Sequence, residues 1–265
     1  THSSYLALKD LYKVRISNID KAKIEKYQAE ETLAGKKAST INRKLRELKY
    51  LCLWASEHYD RLKDYQYPKY KQLSEIGIQE IPEDDRNKII DAALEHSKET
   101  YFIGDKKCDM GYIYPLIVLM MYTGIRPVTA LGLIWRDINL KEKKFLARHV
   151  NNRKAKTTSW LYLADAPYQA LKDWKDKNPN AKQDDKLFPV SSIKKQFKSI
   201  LRRAKIDENK YSPYSLRHGF AMLLAEKRAD PIQIQNALTH ADFRTTQHYI
   251  DAQEKTQRAA MALLD

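Results

Sequence analysis

The sequence predicts a mainly α-helical protein with a small β-sheet insertion, divided into two domains. Three observations carry that expectation. Apolar residues recur at helical spacing from residue 1 to about 66, and again through most of the chain beyond residue 83. Between these regions, residues 64–88 read DYQYPKYKQLSEIGIQEIPEDDRNK, where Pro68 and Pro82 break the pattern. Two stretches of the second region, WRDINLKEKKFLARHV and SWLYLADA, carry β-branched and aromatic residues at strand-like spacing. The expected division is a helical domain over 1–66, a linker over 67–82 and a larger domain over 83–265.

In the first domain the clearest segment is STINRKLRELKYLCLWASEHY. Ile41, Leu45, Leu48 and Cys52 recur at helical spacing with Leu51 beside them, and Ser39 or Thr40 can cap the start. Arg43, Lys44, Arg46 and Lys49 fall largely off that apolar stripe. Such a helix can pack by one face and meet phosphates, or simply solvent, with the other. Beyond the linker, PEDDRNKIIDAAL starts a new helix, with Asp84 and Asp85 in the first turn, where the helix dipole favours negative charge. GYIYPLIVLMMYTG reads as a buried helix ending near Gly124, and Pro127 is placed to open the next, VTALGLIW. The two strand-like stretches flank NNRKAKTT, polar and basic as a hairpin tip should be. Helices are expected at about 166–177, 191–204, 214–228, 231–238 and 243–250.

Composition narrows the function. Forty-eight Lys and Arg against 34 acidic residues give a net charge of +14, a field that favours polyanions and points to nucleic acid as partner. No apolar run approaches the roughly 20 residues of a membrane span; the longest, IYPLIVLMMY, suits a buried helix. The start, THSSYLALKD, lacks the layout of a secretory signal and begins without Met, as a fragment of a longer protein would. Cys52 and Cys108 are the only cysteines, too few for a structural zinc site and weak grounds for secretion. A reduced, cytoplasmic setting is expected.

Four places in the second domain combine. Arg126 sits in TGIRPVTAL, between two helices. Lys154 sits in the hairpin tip NNRKAKTT. Arg217 and His218 sit in SPYSLRHGFAM. His240 and Tyr249 lie nine residues apart in LTHADFRTTQHY. Taken singly, Arg126 could be a surface cation, His240 a helix-end residue and Tyr249 a half-buried aromatic. Together, in type, order and spacing, they resemble the tyrosine recombinase (phage integrase) family. STINRKLREL, at the other end of the chain, resembles the helical core-binding domain of these enzymes.

The resemblance implies an all-helical core-binding domain followed by a mixed α/β catalytic domain. It implies a site-specific recombinase of mobile elements that cuts and rejoins double-stranded DNA through a 3'-phosphotyrosine, with no metal, nucleotide or other cofactor. Tyr249 would be the nucleophile; Arg126, Arg217 and His240 would hold the scissile phosphate. Lys154 would give a proton to the departing 5'-oxygen, with Lys156 the alternative and otherwise a DNA contact. The residue types suit the task. Arg forks clamp phosphate oxygens bidentately and keep their charge, and stabilising developing charge is usually the largest catalytic term. A free phenol has a pKa near 10, so the nucleophile needs cationic surroundings or a base. His218 and His248 lack a third ligand at zinc spacing and are read as structural. The apolar tail, with Met261, Leu263 and Leu264, would dock on its own domain or link protomers in a tetramer on DNA, where accessory DNA-bending factors could join.

Two positions depart from the family pattern. Tyr214 stands where a His is usual, three residues before Arg217, and a phenol is a poor general base at neutral pH; it can still donate a hydrogen bond to phosphate. Thr129 stands where an acid usually buttresses the first arginine. These departures keep open a second reading, a recombinase-fold DNA-binding protein with weak or lost catalysis. A third, a type IB topoisomerase, shares the chemistry but would relax DNA rather than exchange strands.

Overall fold

The computed structural model describes residues 14–69, 81–103, 106–149 and 157–239. Contacts divide the chain into two compact units, Thr1–Gly77 and Ile78–Asp265. Among the described residues the first is helical, and the second is helical with a small antiparallel three-stranded sheet and a separate strand pair.

In the first unit, helix α1 (Lys21–Leu33) begins where the Asp20 carboxylate accepts a bond from the Lys23 amide at 2.8 Å, relieving one of the unpaired donors at a helix start. Helix α2 (Ala38–His58) buries Ile41, Leu45, Leu48, Cys52 and Ala55. Ile41, Leu45, Leu48 and Cys52 form the unit's core with Ile19, Ile24 and Tyr27, and the Tyr65 hydroxyl closes it by donating to the Ile19 carbonyl at 2.9 Å.

Two expectations for α2 change. Its N-cap is Lys37, without a side-chain cap bond, so Ser39 and Thr40 lie inside the first turn. Lys44 is not on the outer face: it is buried, its ammonium 2.5 Å from Glu31 and 5.8 Å from the centre of the Tyr27 ring. Spaced three residues from both Ile41 and Glu47, it falls at the edge of the apolar stripe. Its long stem crosses that edge to reach α1. Burial opposes the ammonium, but the bonds to Glu31 and Tyr27 hold it above the ordinary lysine value. Arg43, Arg46 and Lys49 are exposed, and Arg43 pairs with Glu47 at 3.2 Å.

The second unit is built around α4 (Ile113–Thr123), nearly every residue of which is buried. Helices α3 (Glu83–His96), α6 (Asp165–Asp176), α7 (Lys194–Arg203) and α8 (Ser215–Glu226) belong to the same unit, and a shared core runs from Ile81 to Leu216. Gly124, at φ +59°, ends α4 in the left-handed conformation that favours glycine. Pro127 does open the next helix, but α5 (Pro127–Ala130) is one turn long rather than running on through VTALGLIW. The Gly132 and Leu133 amides bond back to Thr129 and Ala130, and glycine, poor in helix interiors, lets the chain turn there.

Strands β1 (Thr100–Ile103) and β2 (Lys106–Asp109) pair antiparallel and were not expected. The signal was short: two four-residue runs around the hairpin dipeptide Gly104–Asp105. Strands β3 (Ile138–Asn139), β4 (Lys144–His149) and β5 (Thr157–Tyr162) form the expected insertion, with Phe145 opposite Leu161. Phe145 and Ala147 are buried, and Trp160 is exposed with the Lys144 ammonium over its ring. Asp137, almost wholly buried, accepts from the Ile134 amide at 3.1 Å and pairs with Arg148 of β4, which ties the strand to the turn at its base. The last described helix is α9 (Pro231–Leu238), opened by Asp230 and Gln233 bonding each other's amide ends. The helix expected at 243–250 lies outside the described residues. No described helix is long and apolar enough to cross a membrane.

The Lys44–Glu31 pair can be tested by a double-mutant cycle. Because the pair keeps some exposure, Glu31→Gln is expected to cost about 1–3 kcal/mol, less than the ~3–5 kcal/mol for breaking a fully buried pair. Lys44→Met combined with Glu31→Leu is expected to cost less than the two single changes together in urea unfolding. Strict additivity would show that the contact contributes nothing.

Candidate active site

Three chain segments meet at the start of α8. The first is the turn between α4 and α5, the second is the first turn of α8, and the third is the end of α9. Arg217, in α8, is buried at 5% exposure. Its Nη1 donates to the Gly124 carbonyl and its Nη2 to the Leu238 carbonyl, each at 2.5 Å. These acceptors are at the C-terminal ends of α4 and α9, where helix carbonyls lack partners and the dipoles are negative. A buried cation needs such compensation, because charge away from water is costly unless bonded.

The carbonyls that Arg217 holds lie close in sequence to two other candidate residues. Gly124 is two residues before Arg126, and Leu238 is two before His240. Arg126 is the N-cap of α5, and its carbonyl accepts the amides of Thr129 and Ala130 at 2.9 Å each. Its side chain is half-buried, and among the described residues it forms no ion pair. Thr129 is buried at 3% exposure, and among the described residues its hydroxyl has no hydrogen-bond partner. It supplies no charge to steady the guanidinium.

The turn into α8 is fixed by Ser212 and Ser215. The Ser212 amide donates to the Ser215 hydroxyl at 3.0 Å, and the Ser215 amide to the Ser212 carbonyl at 2.8 Å. Between them Tyr214 stands just before the helix, 48% exposed. It borders a groove of about 560 Å³ that Pro127, Val128 and Leu131 also line. Tyr211 is differently placed. Its buried hydroxyl donates to Asp85 at 2.8 Å, and Lys210 bonds the same carboxylate at 2.8 Å. Burial and then the Asp85 carboxylate push its phenol up, which suits structure rather than nucleophilic attack. The Lys210 bond holds the Asp85 carboxyl below its usual range, so Asp85 does more than favour the α3 dipole. Among the described residues no three His, Cys, Asp or Glu side chains are grouped to hold a metal ion.

Arg126, Tyr214 and Arg217 are thus described, and Arg217 bonds the segment that carries Arg126. Lys154, Lys156, His240, His248, Tyr249 and the tail lie outside the described residues. Sequence reasoning missed the cradle around Arg217: Gly124 was read only as a helix end, and Phe220 and Leu238 not at all. It also missed Asp137, although an acid between Trp135 and a strand is a visible cap signal.

His218 follows Arg217 and is half-buried. Burial, and after it the Arg217 charge, lower its pKa from the ordinary value. The unfolded chain therefore takes up a proton near pH 6.5 while the folded chain stays neutral to lower pH. Stability from this group is complete above about pH 6.5 and declines as pH falls toward the folded pKa. An NMR titration is expected to place His218 below the value for an unfolded peptide, and His218→Gln to soften the loss of stability on acidification. A folded-state pKa above the peptide value would reverse the sign and contradict this.

The sequence profile of the phage integrase family matches residues 80–256. Among curated relatives, the chain is 28% identical over 136 residues to the tyrosine recombinase XerA of Saccharolobus solfataricus, covering 51% of this chain and 44% of the relative. It is 24% identical over 197 residues to the tyrosine recombinase XerD of Brucella melitensis, covering 71% of this chain and 60% of the relative. The matches therefore span about half the length of these relatives. Among solved structures, the XerH site-specific recombinase bound to difH substrate superposes with a TM-score of 0.64 at 22% identity, covering 94% of this chain and 73% of that one. The Tn1549 transposon integrase in complex with circular intermediate DNA superposes at 0.67 and 17% identity, covering all of this chain and 94% of that one. At these identities the superpositions speak for the fold, a mainly helical unit with a three-stranded sheet. With its profile match covering well over half of the sequence, the chain belongs to the phage integrase family.

Proposed function

We propose that this chain is a site-specific DNA recombinase, cutting and rejoining duplex DNA through a phosphotyrosine intermediate on Tyr249. The observation that best supports the reading is the pair of hydrogen bonds that Arg217 donates to the Gly124 and Leu238 carbonyls. It joins the segment of Arg126 to the segment that leads to His240 and Tyr249. Family membership and a net charge of +14 fit a DNA substrate.

In this reading the Tyr249 hydroxyl gives up its proton to water, its oxygen attacks phosphorus, the bond to the 5'-oxygen breaks, and that oxygen takes a proton from Lys154, with Lys156 the alternative. The product is a 3'-phosphotyrosine and a free 5'-hydroxyl. Rejoining is the reverse attack by a 5'-hydroxyl from another strand, so no energy source is needed. Arg126 and Arg217 offset the charge that grows on the non-bridging oxygens. Losing one such donor costs about 2.7–4 kcal/mol, roughly a hundred- to a thousandfold in rate. His240 and Tyr214 would donate hydrogen bonds to the same phosphate. The first unit would be the core-binding domain, gripping DNA through Arg43, Arg46 and Lys49, while Lys44 is held by Glu31. A tetramer on DNA, linked by the C-terminal tail, completes the proposal, with accessory DNA-bending factors as further partners and the cytoplasm as its setting.

Thr129 and Tyr214 favour the second reading, a DNA-binding protein with weak catalysis. Thr129 stands where the family usually places an acid, so Arg126 lacks that buttress, and among the described residues the Thr129 hydroxyl is bonded to nothing. Nicked duplexes tiled across the DNA that flanks the coding sequence separate the two readings. The wild type is expected to leave a protein–DNA adduct that survives denaturant, and Tyr249→Phe none. DNA binding at low salt with no adduct, even in Tyr214→His, would establish the second reading. An adduct that persists in Tyr249→Phe would move the nucleophile elsewhere.

A further inference from the structure

The first turns of α8 hold the same two segments twice over. Arg217 takes the carbonyls of Gly124 and Leu238. Phe220, three residues on and so on the same helix face, meets the same pair by packing. A methyl group at Gly124 would fall 2.5 Å from the Phe220 ring and 2.8 Å from the Leu238 side chain, well inside van der Waals contact. The ring therefore sits against a bare Cα, in space that only glycine leaves open. The left-handed φ of +59° at Gly124 favours the same residue independently. Phe220 also packs on the small cluster of Ala221, Met222, Ala225, Ile234 and Leu238, apart from the main core.

We propose that Phe220 is the positioning residue for Arg126 and Arg217. Its ring, beside the Leu238 side chain that meets Gly124 directly, props the end of α4 against the end of α9. The Arg217 bonds draw these ends toward α8, and the ring sets how far they come. With attraction and contact on the same two residues, the Arg126 turn and the departure point of the chain toward His240 hold a fixed separation. Phe220 needs no contact with DNA to do this. The proposal rests on Arg126 and Arg217 serving the scissile phosphate.

The test compares cleavage by the full chain on two nicked duplexes. One carries an ordinary scissile phosphate. The other carries a methylphosphonate there, in which methyl replaces a charged non-bridging oxygen, so well-placed guanidinium groups confer less advantage. Phe220→Ala is expected to lose roughly a hundredfold on the phosphate, the scale of an ångström-sized misplacement. Most of that deficit is expected to vanish on the methylphosphonate, with DNA affinity and its salt dependence unchanged. Phe220→Leu, which refills part of the space, should recover much of the phosphate activity. Gly124→Ala, which pushes from the other side, should reproduce the substrate-dependent deficit. An equal loss on both substrates would make Phe220 a general support of the fold and overturn the proposal, as would full activity of Phe220→Ala on the phosphate. If Phe220→Ala does not fold, Phe220→Val, which leaves most of the space empty, carries the same comparison. Arg126→Ala and Arg217→Ala are the controls. If their deficits are equal on both substrates, the phosphate-binding reading itself has failed, whatever Phe220 does.

Discussion

The second unit depends on one buried guanidinium and the two helix ends it bridges. Arg217 is almost out of contact with water, where an unpaired charge would cost several kcal/mol. What makes that position tenable is the convergence of α4 and α9, each presenting a C-terminal carbonyl to a separate nitrogen of the fork. Lysine could not do the same, because its ammonium is a single point charge whereas the guanidinium spans two acceptors with fixed geometry. In the proposed reaction the same group meets a phosphate, so structure and chemistry draw on one side chain.

Several local features follow from this bridge. Gly124 has to end α4 without a side chain, since its carbonyl faces Arg217 while its Cα faces Phe220. Pro127 then fixes the first turn of α5 and leaves Arg126 as its cap, with the main-chain carbonyl engaged and the side chain making no cap bond. The paired serines at 212 and 215 set where α8 begins, and so where Tyr214 and Arg217 emerge. Thr129 is the exception to this pattern of mutual support, buried with its hydroxyl unbonded among the described residues.

Local patterning made much of this legible in the sequence. The apolar stripe of α2, the end of α4 at Gly124 and the opening of α5 at Pro127 follow from periodicity, from a glycine at a helix end and from a proline at a helix start. Arg126 and Arg217 stood out through TGIR and LRH. Contacts between distant segments were not legible. Lys44 sits near enough to the stripe for its stem to lie either way, and Glu31 on another helix decides it. Asp85 looked like a dipole partner until Lys210 and Tyr211, more than 120 residues away, were seen to bind it. The length of α5 turned on Gly132, a residue that propensity alone tolerates inside a helix. Phe220 carried no signal at all, because an aromatic one turn into a helix is ordinary until the space it fills is known.

The most direct measurement is a crystal structure of the full chain without DNA, refined well enough to place the Arg217 nitrogens. This account predicts Nη1 and Nη2 on the Gly124 and Leu238 carbonyls, with the Phe220 ring against the Gly124 Cα. A guanidinium turned to solvent, or α9 ending away from α4, would contradict it and leave Arg126 and His240 without a common anchor.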